Sequence, residues 1–222
     1  MRIEKSLDEI SDGILYEMND MVKADTRGCV GCSACCYGVG ETMGLNPFDL
    51  YEMTTFLELP FEMLIDVKIE LHVEEKLTLP NLKMVGPLQG CGFLDDDERC
   101  VIHGHRPSIC RMFPLGRYYD LDSFKYIYKP GECIMPDPSK IKVKKWINID
   151  DYEQNKVFIM DWYKFLKALK FRVKFIHDKK EMAEVNDYLI NHFYNIQWQE
   201  GQDFYTEIKE RIITAKDKLG LL

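Results

Sequence analysis

The stretch CVGCSACC, residues 29–36, places four thiols within one short segment of a chain of 222 residues. Two-residue gaps let a tight turn direct successive sulfurs toward one metal, while backbone N–H groups stabilise the thiolates. The same spacing occurs in zinc knuckles and in the C-x2-C-x2-C run of bacterial ferredoxins. The stretch therefore predicts a metal site, and it leaves open whether the metal is zinc or iron.

The remaining four cysteines lie further along the chain, at Cys91, Cys100, Cys110 and Cys133. Eight thiols divide into two sets of four, so two metal sites are possible, and so is one site with spare thiols. Cys35 and Cys36 are neighbours, and consecutive side chains diverge in extended backbone. We therefore expect one of these two either to serve a second site or to remain free.

The composition limits which cellular compartment and which binding partners are expected for this protein. The net charge is −8 and the pI is about 5.2, so the chain has no general attraction for nucleic-acid phosphates or anionic lipid. The sequence contains no run of eighteen apolar residues and no stretch like a signal peptide. These features predict a cytoplasmic protein that binds neither nucleic acid nor membrane. A reducing compartment disfavours disulfides, which leaves metal ligation to explain eight cysteines.

The order of the cysteine blocks resembles a known family. The run at residues 29–36 is followed by Cys91-Gly-Phe-Leu, by Cys100-Val-Ile, by Arg106-Pro107-x2-Cys110-Arg111-x-Phe113-Pro114 and by Cys133. This order resembles the CxxCxxCC cysteine-cluster family of zinc- or iron-chelating domains, the YkgJ type, whose domain is shared with flagellin lysine N-methylases. The resemblance implies that the matching cysteines bind zinc, iron or an iron–sulfur cluster.

Two arginines and two histidines accompany the second cysteine region. Arg106 and Arg111 flank Cys110, and their charges either offset a thiolate-bound cluster, as cofactor-binding residues, or pair with the acidic residues 95–98. His103 and His105 either supply a metal ligand, as in mixed cysteine–histidine sites, or hydrogen-bond the backbone of a loop.

The patterns predict an α+β fold with a cysteine-rich, loop-dominated centre and short hairpins, packed against several helices. We expect an N-terminal helix within residues 1–28, a metal-binding domain at 29–135 and a helical lobe at 136–222. Helices are predicted at 7–23, 46–57, 60–67, 149–169, 180–194 and 202–218. A strand is predicted at 79–85, and hairpins are predicted at 93–102 and 118–128.

Three functions are compatible with this pattern. The favoured hypothesis is a 4Fe–4S protein with a redox role or a role in modifying a protein or peptide partner. The alternatives are a zinc-stabilised interaction module without catalysis and a metal carrier that gives up its ion. If the chain is an enzyme, we expect an iron–sulfur oxidoreductase or, as the resemblance implies, a protein-modifying activity like that of the lysine N-methylases.

Overall fold

The computed structural model describes residues 6–29, 32–39 and 44–221. Helices and short antiparallel strand pairs form a mixed α+β fold, which confirms the predicted class. The elements divide between two compact units, and each unit combines two stretches of chain. The first unit comprises Met1–Cys35 and Ser108–Tyr152, and the second comprises Cys36–Pro107 and Glu153–Leu222. The domain boundaries predicted from the sequence stay a prediction.

The helices are α1 (Leu7–Ile10), α2 (Pro47–Leu57), α3 (Phe61–Leu64), α4 (Ser108–Met112), α5 (Val143–Ile147), α6 (Tyr152–Val173), α7 (Lys179–Phe193) and α8 (Phe204–Lys218). The strands are β1 (Met21–Asp25), β2 (Ile69–Glu74), β3 (Leu77–Leu82), β4 (Met84–Val85), β5 (Gly90–Cys91), β6 (Leu115–Tyr119), β7 (Phe124–Tyr128) and β8 (Ser139–Lys142). No helix in the described part of the chain is both long enough and apolar enough to cross a membrane.

Two antiparallel strand pairs organise the first unit. β6 and β7 form the predicted hairpin, in register from Leu115 opposite Tyr128 to Tyr119 opposite Phe124. β1 pairs with β8, which the sequence did not predict, and Val22 in this pair is 1% exposed. The alternation of buried and exposed residues along β1 is that of a strand with one face on a core.

The predicted helix over residues 7–23 is wrong beyond Ile10. Gly13 adopts a left-handed conformation, with φ of +77°, and the Asp12 side chain accepts a hydrogen bond from Ile14 N. Tyr16 then pairs through its backbone with Tyr126. Glycine takes this conformation without steric strain, so it ends the helical path that the apolar spacing suggested. Residues 1–5 of the N-terminal region lie outside the described residues.

The second unit contains the helices whose positions the sequence predicted best. α6, α7 and α8 match the three predicted C-terminal helices to within a few residues. In the predicted helix at 46–57, Asn46 caps α2 by accepting hydrogen bonds from Phe48 N and Asp49 N, and Pro47 occupies the first helical position. At the end of α6, Lys76 Nζ donates to the carbonyls of Val173 and Ile176, where a cation suits the helix dipole.

The second unit also contains the predicted turn at the acidic residues 95–98. Leu94 and Cys100 pair in antiparallel fashion, and Asp95 N donates to Arg99 O at 2.9 Å. The Asp95 carboxylate accepts from Asp97 N and Arg99 N, which closes the turn. Asp95 therefore has a structural role, because its side chain closes the turn at the tip of the hairpin.

Candidate metal centre

Two short 3-10 turns hold the cysteine run, at Arg27–Cys29 and Ala34–Cys36. The first turn follows β1 directly, and Arg27 N donates to Asp25 Oδ1 at 2.9 Å. Cys29 has a left-handed φ of +57°, and its carbonyl accepts from Cys32 N at 3.3 Å. Residues 30, 31 and 40 of this glycine- and cysteine-rich segment lie outside the described residues.

Cys133 follows the β6–β7 hairpin on a separate turn. Glu132 N donates to Lys129 O at 3.4 Å, and Gly131 takes a φ of +81° that favours glycine. Beyond Cys133, the backbone N–H of Met135 donates to the Cys133 sulfur. An N–H group directed at sulfur is a feature of sites that hold thiolates.

Four of the eight thiols line one pocket within the first unit, namely Cys29, Cys32, Cys35 and Cys133. Apolar side chains supply most of the remaining wall, namely Phe113, Pro114, Ile134, Met135 and Trp146. The Trp146 indole is 6% exposed, and its Nε1 donates to Phe113 O at 3.1 Å. The Thr26 hydroxyl lies 3.5 Å from the Cys29 sulfur. The pocket thus combines four soft donors with little other polar surface.

Burial raises the pKa of the Cys133 thiol above its ordinary value, and the Met135 N–H partly opposes this. The negative charges of Cys29, Cys32 and Cys35 raise the same pKa further, because like charges disfavour ionisation. The four sulfurs are therefore close enough to repel one another as thiolates. A cation bound among them would remove this penalty, and metal binding would release protons.

The donor set fits the metals that the sequence suggested. Four sulfur donors are typical of zinc or of an iron–sulfur cluster, and Thr26 and Glu132 also line the pocket. As they stand, no three or more His, Cys, Asp or Glu side chains in the described residues form a group that could hold a metal ion. The four thiols therefore line one pocket without forming a ready metal-binding group.

The neighbours Cys35 and Cys36 differ in their surroundings, and the expectation that one of them serves a second site or remains free stays a prediction. Cys35 lines the four-thiol pocket, whereas Cys36 belongs to the second unit and the lining does not include it. In the second unit the residue after Cys36, Tyr37, pairs in antiparallel fashion with Gly90, the residue before Cys91. Cys100 lies on the hairpin that follows Cys91.

Cys110 lies on α4 in the first unit, and it is not part of the pocket lining. Its assignment as a metal ligand stays a prediction. On the same helix the Arg111 guanidinium is 6% exposed and donates from Nη1 to Asn148 O at 3.0 Å. This bond ties α4 to the left-handed residue that ends α5. The predicted role of Arg111 in binding a cofactor also stays a prediction.

The remaining predicted residues lie in the second unit. Arg106 Nη1 lies 2.9 Å from His103 Nε2 and donates to the His103 carbonyl at 3.1 Å. His105 Nδ1 is 3.2 Å from Glu52 Oε2, and its ring stacks on Phe56 with centroids 4.3 Å apart. These contacts give each side chain a structural partner, and the predicted roles of Arg106 in cofactor binding and of the histidines as ligands stay predictions.

Sequence reasoning missed several residues of the pocket. Glu132 directly precedes Cys133 and Met135 follows it by two residues, so their proximity to the thiol in sequence gave a usable signal. Thr26 lies three residues before Cys29 and is 5% exposed. Trp146 gave no such signal, because it follows a lysine-rich segment and reaches the pocket only through the folding of α5.

Four cysteines around an apolar pocket, with further cysteines on paired backbone segments, define the class of cysteine-rich metal-binding proteins. Within that class, residues 28–134 match the family model CxxCxxCC, described as a putative zinc- or iron-chelating domain. The chain therefore carries a CxxCxxCC domain over this segment, which confirms the resemblance and supports metal binding. Neither a search of curated proteins nor a search of solved structures found a match.

Proposed function

We propose that the chain holds a 4Fe–4S cluster on Cys29, Cys32, Cys35 and Cys133, and that it acts in a redox reaction or in modifying a protein or peptide partner. The observation that carries this proposal is the single pocket lined by these four thiols. Three ligands from one C-x2-C-x2-C run and a fourth from a distant turn are the arrangement that bacterial ferredoxin-type runs use.

A four-iron cluster and a single zinc ion require different arrangements of four thiols. A tetrahedral zinc with bonds of about 2.3 Å brings four sulfurs to within about 4 Å of one another. In a four-iron cluster each thiolate binds a different iron, so the sulfurs converge less. Three cysteines from one C-x2-C-x2-C run and a distant fourth cysteine are the ligand pattern that supports the cluster here.

The surrounding residues suit a redox site. The Met135 N–H and the Thr26 hydroxyl are placed to hydrogen-bond the sulfurs of Cys133 and Cys29, which lowers the electron density on a thiolate. The apolar walls exclude water, and burial is one of the factors that set a reduction potential. A cluster of this type supplies one-electron transfer when it is bound.

We also propose a protein or peptide as the partner. The net charge of −8 opposes binding to phosphate-rich surfaces, whereas a protein partner can complement it locally. Retention of the whole chain on anionic lipid vesicles or on duplex DNA at physiological ionic strength would contradict this part of the proposal.

The second candidate is a zinc-stabilised interaction module. The description of the matching domain names zinc as well as iron, and an all-sulfur donor set serves both. The hydrogen bond from Cys32 N to Cys29 O also forms the tight turn that zinc knuckles require. In this case the metal would support the fold and a binding surface, without redox chemistry.

Purification of the whole chain without oxygen tests the proposal, with iron, zinc and acid-labile sulfide measured on the same sample. We expect a brown protein with about four irons and four sulfides per chain, bleached by dithionite. Cys35→Ser should lose this absorption, and Ser33→Ala, which changes the same loop without removing sulfur, should keep it. A colourless protein with tightly held zinc and no sulfide would reject the cluster and favour the interaction module.

A further inference from the structure

The C-terminal part of α6 carries a charge opposite to that of the whole chain. Residues 164–180 contain seven Lys or Arg and one Asp, so this segment carries +6, whereas the chain carries −8 and its other residues therefore carry −14. We propose that this segment docks an acidic stretch of a partner protein that also carries apolar side chains. The inference rests on the proposed protein or peptide partner and deepens it, and it does not depend on the metal of the first pocket.

Five exposed side chains of this segment lie along one face of α6 and of the turn that follows it. Their positions are three or four residues apart, and such residues are neighbours on a helix surface. The five are Lys164, Lys167, Phe171, Lys174 and Phe175. This set, the basic aromatic surface, extends for about 16 Å along the helix.

The two phenylalanines form an exposed pair on a fixed backbone. The ring centroids of Phe171 and Phe175 are 5.3 Å apart, and the side chains are 63% and 67% exposed. The pair therefore leaves roughly 200 Å² of aromatic surface in water. Val173 and Ile176 are buried, and Lys76 Nζ donates to the carbonyls of both. An ordered helix end thus presents the two rings, as an aromatic anchor of an interface requires.

The lysines beside the phenylalanines are available to a partner. Lys170, on the flank of α6, already pairs with Glu74 at 2.8 Å. Among the described residues, no carboxylate forms an ion pair with Lys167 or Lys174. The helix dipole does not account for all these charges, because its effect is limited to the last turn and Lys164 lies more than two turns before the end of α6.

The carboxylates around this surface favour a protein partner over a phosphate-rich one. Asp178 follows the surface in sequence, and Glu181 lies beside it, 3.4 Å from the Arg172 guanidinium. An extended array of phosphates would meet these charges and the negative remainder of the chain. A short acidic segment can instead place its carboxylates near Lys167 and Lys174 alone. Its apolar side chains would then cover the exposed rings.

An array of random peptides of about twelve residues tests the proposal, because a helix of this length spans about 18 Å and matches the surface. The whole, metal-loaded chain is applied to the array. We expect the bound peptides to be enriched in Asp or Glu together with Leu, Phe or Trp. The affinity of the selected peptides is then measured by fluorescence anisotropy, and it should fall as the salt concentration rises.

Single substitutions with matched controls assign the binding to this surface. Phe175→Ser should weaken the binding of the selected peptides about tenfold. Ile213→Ser, which removes a 59% exposed apolar side chain from α8, should not. Lys174→Glu should weaken binding about tenfold and reduce its salt dependence. Lys209→Glu makes the same change of net charge at another exposed position of the second unit and should have little effect.

The outcomes separate this inference from the proposed cluster. Selected peptides without an acidic and apolar excess, or equal binding by the original chain and Phe175→Ser, would overturn the inference. Self-association of the chain, or its retention on anionic vesicles or duplex DNA, would also overturn it if Lys174→Glu abolished that binding. A colourless zinc protein that still binds the peptides as described would reject the cluster and support this surface.

Discussion

The two units of the molecule use different sources of stability. Among the described residues, the largest of the almost completely buried side chains lie mainly in the second unit, for example Phe93, Phe165 and Phe193, whereas the first unit contributes Ile147. The second unit packs Phe165 against Trp162 and Phe193, with ring centroids 5.3 and 5.1 Å apart. The first unit instead has short strand pairs around a pocket of thiols.

This difference indicates which unit depends on metal. A small unit with few fully buried side chains gains little from the hydrophobic effect, and such domains commonly rely on metals or disulfides. A unit with many buried aromatic and aliphatic side chains has its own source of stability. We therefore expect metal to be coupled to folding most strongly in the first unit.

The largest expected effect follows removal of a thiol from the four-thiol pocket. In Cys133→Ser, the amides of β1 and β8 should exchange with solvent about a hundredfold faster or more, because structural metal sites contribute on the order of 10 kcal/mol to folding. The amides of α6 and α7 should keep their protection. Hydrogen exchange measured by mass spectrometry on the metal-loaded chain checks both, and equal loss in the two units would contradict the comparison.

The complementary experiment truncates a side chain in the aromatic core of the second unit and leaves the thiols of the first unit intact. Phe165 is 0% exposed, so Phe165→Ala should lower the free energy of unfolding by about 3–5 kcal/mol. The metal content of the first pocket should stay unchanged. Phe171→Ala is the matched control, because Phe171 lies on the same helix and is 63% exposed. Urea denaturation followed by circular dichroism measures the difference, and similar effects of the two variants would be the contrary result.

The sequence predicted the second unit's helices better than the first unit's strands, for a physical reason. Helical periodicity and the cap at Asn46 are local signals, and α6, α7 and α8 were long enough to show them clearly. The pairing of β1 with β8 joins residues more than a hundred positions apart, and nothing local specifies it. The spacing of Ile10 and Ile14 is typical of a helix, but the left-handed Gly13 and the pairing of Tyr16 with Tyr126 give this segment a non-helical conformation.

The cysteines show the same division between local and distant information. The run at residues 29–36 and the family resemblance predicted metal binding from sequence alone. The grouping of Cys133 with that run depends on the tertiary fold, and the spacing of the cysteines does not specify it. Trp146 also lines the pocket because of the tertiary fold, and no local sequence pattern indicates this.

The smallest expected effect tests whether packing around the thiols contributes much by itself. Trp146→Phe keeps an aromatic ring in the pocket wall but removes the Nε1 donor to Met112 O and Phe113 O. The change should lower the free energy of unfolding of the first unit by about 1 kcal/mol, the ordinary contribution of a hydrogen bond to a neutral acceptor. The first pocket should keep its metal, which iron and zinc analysis would show.

Fluorescence gives this variant a second use. Trp146 belongs to the first unit, whereas Trp162 and Trp198 belong to the second. Removal of metal from the first pocket should change the emission of the original chain and leave that of Trp146→Phe nearly constant, and Trp198→Phe should respond like the original chain. If Trp146→Phe instead loses its metal or unfolds the first unit, then side-chain packing, and not thiolate ligation, supports that unit.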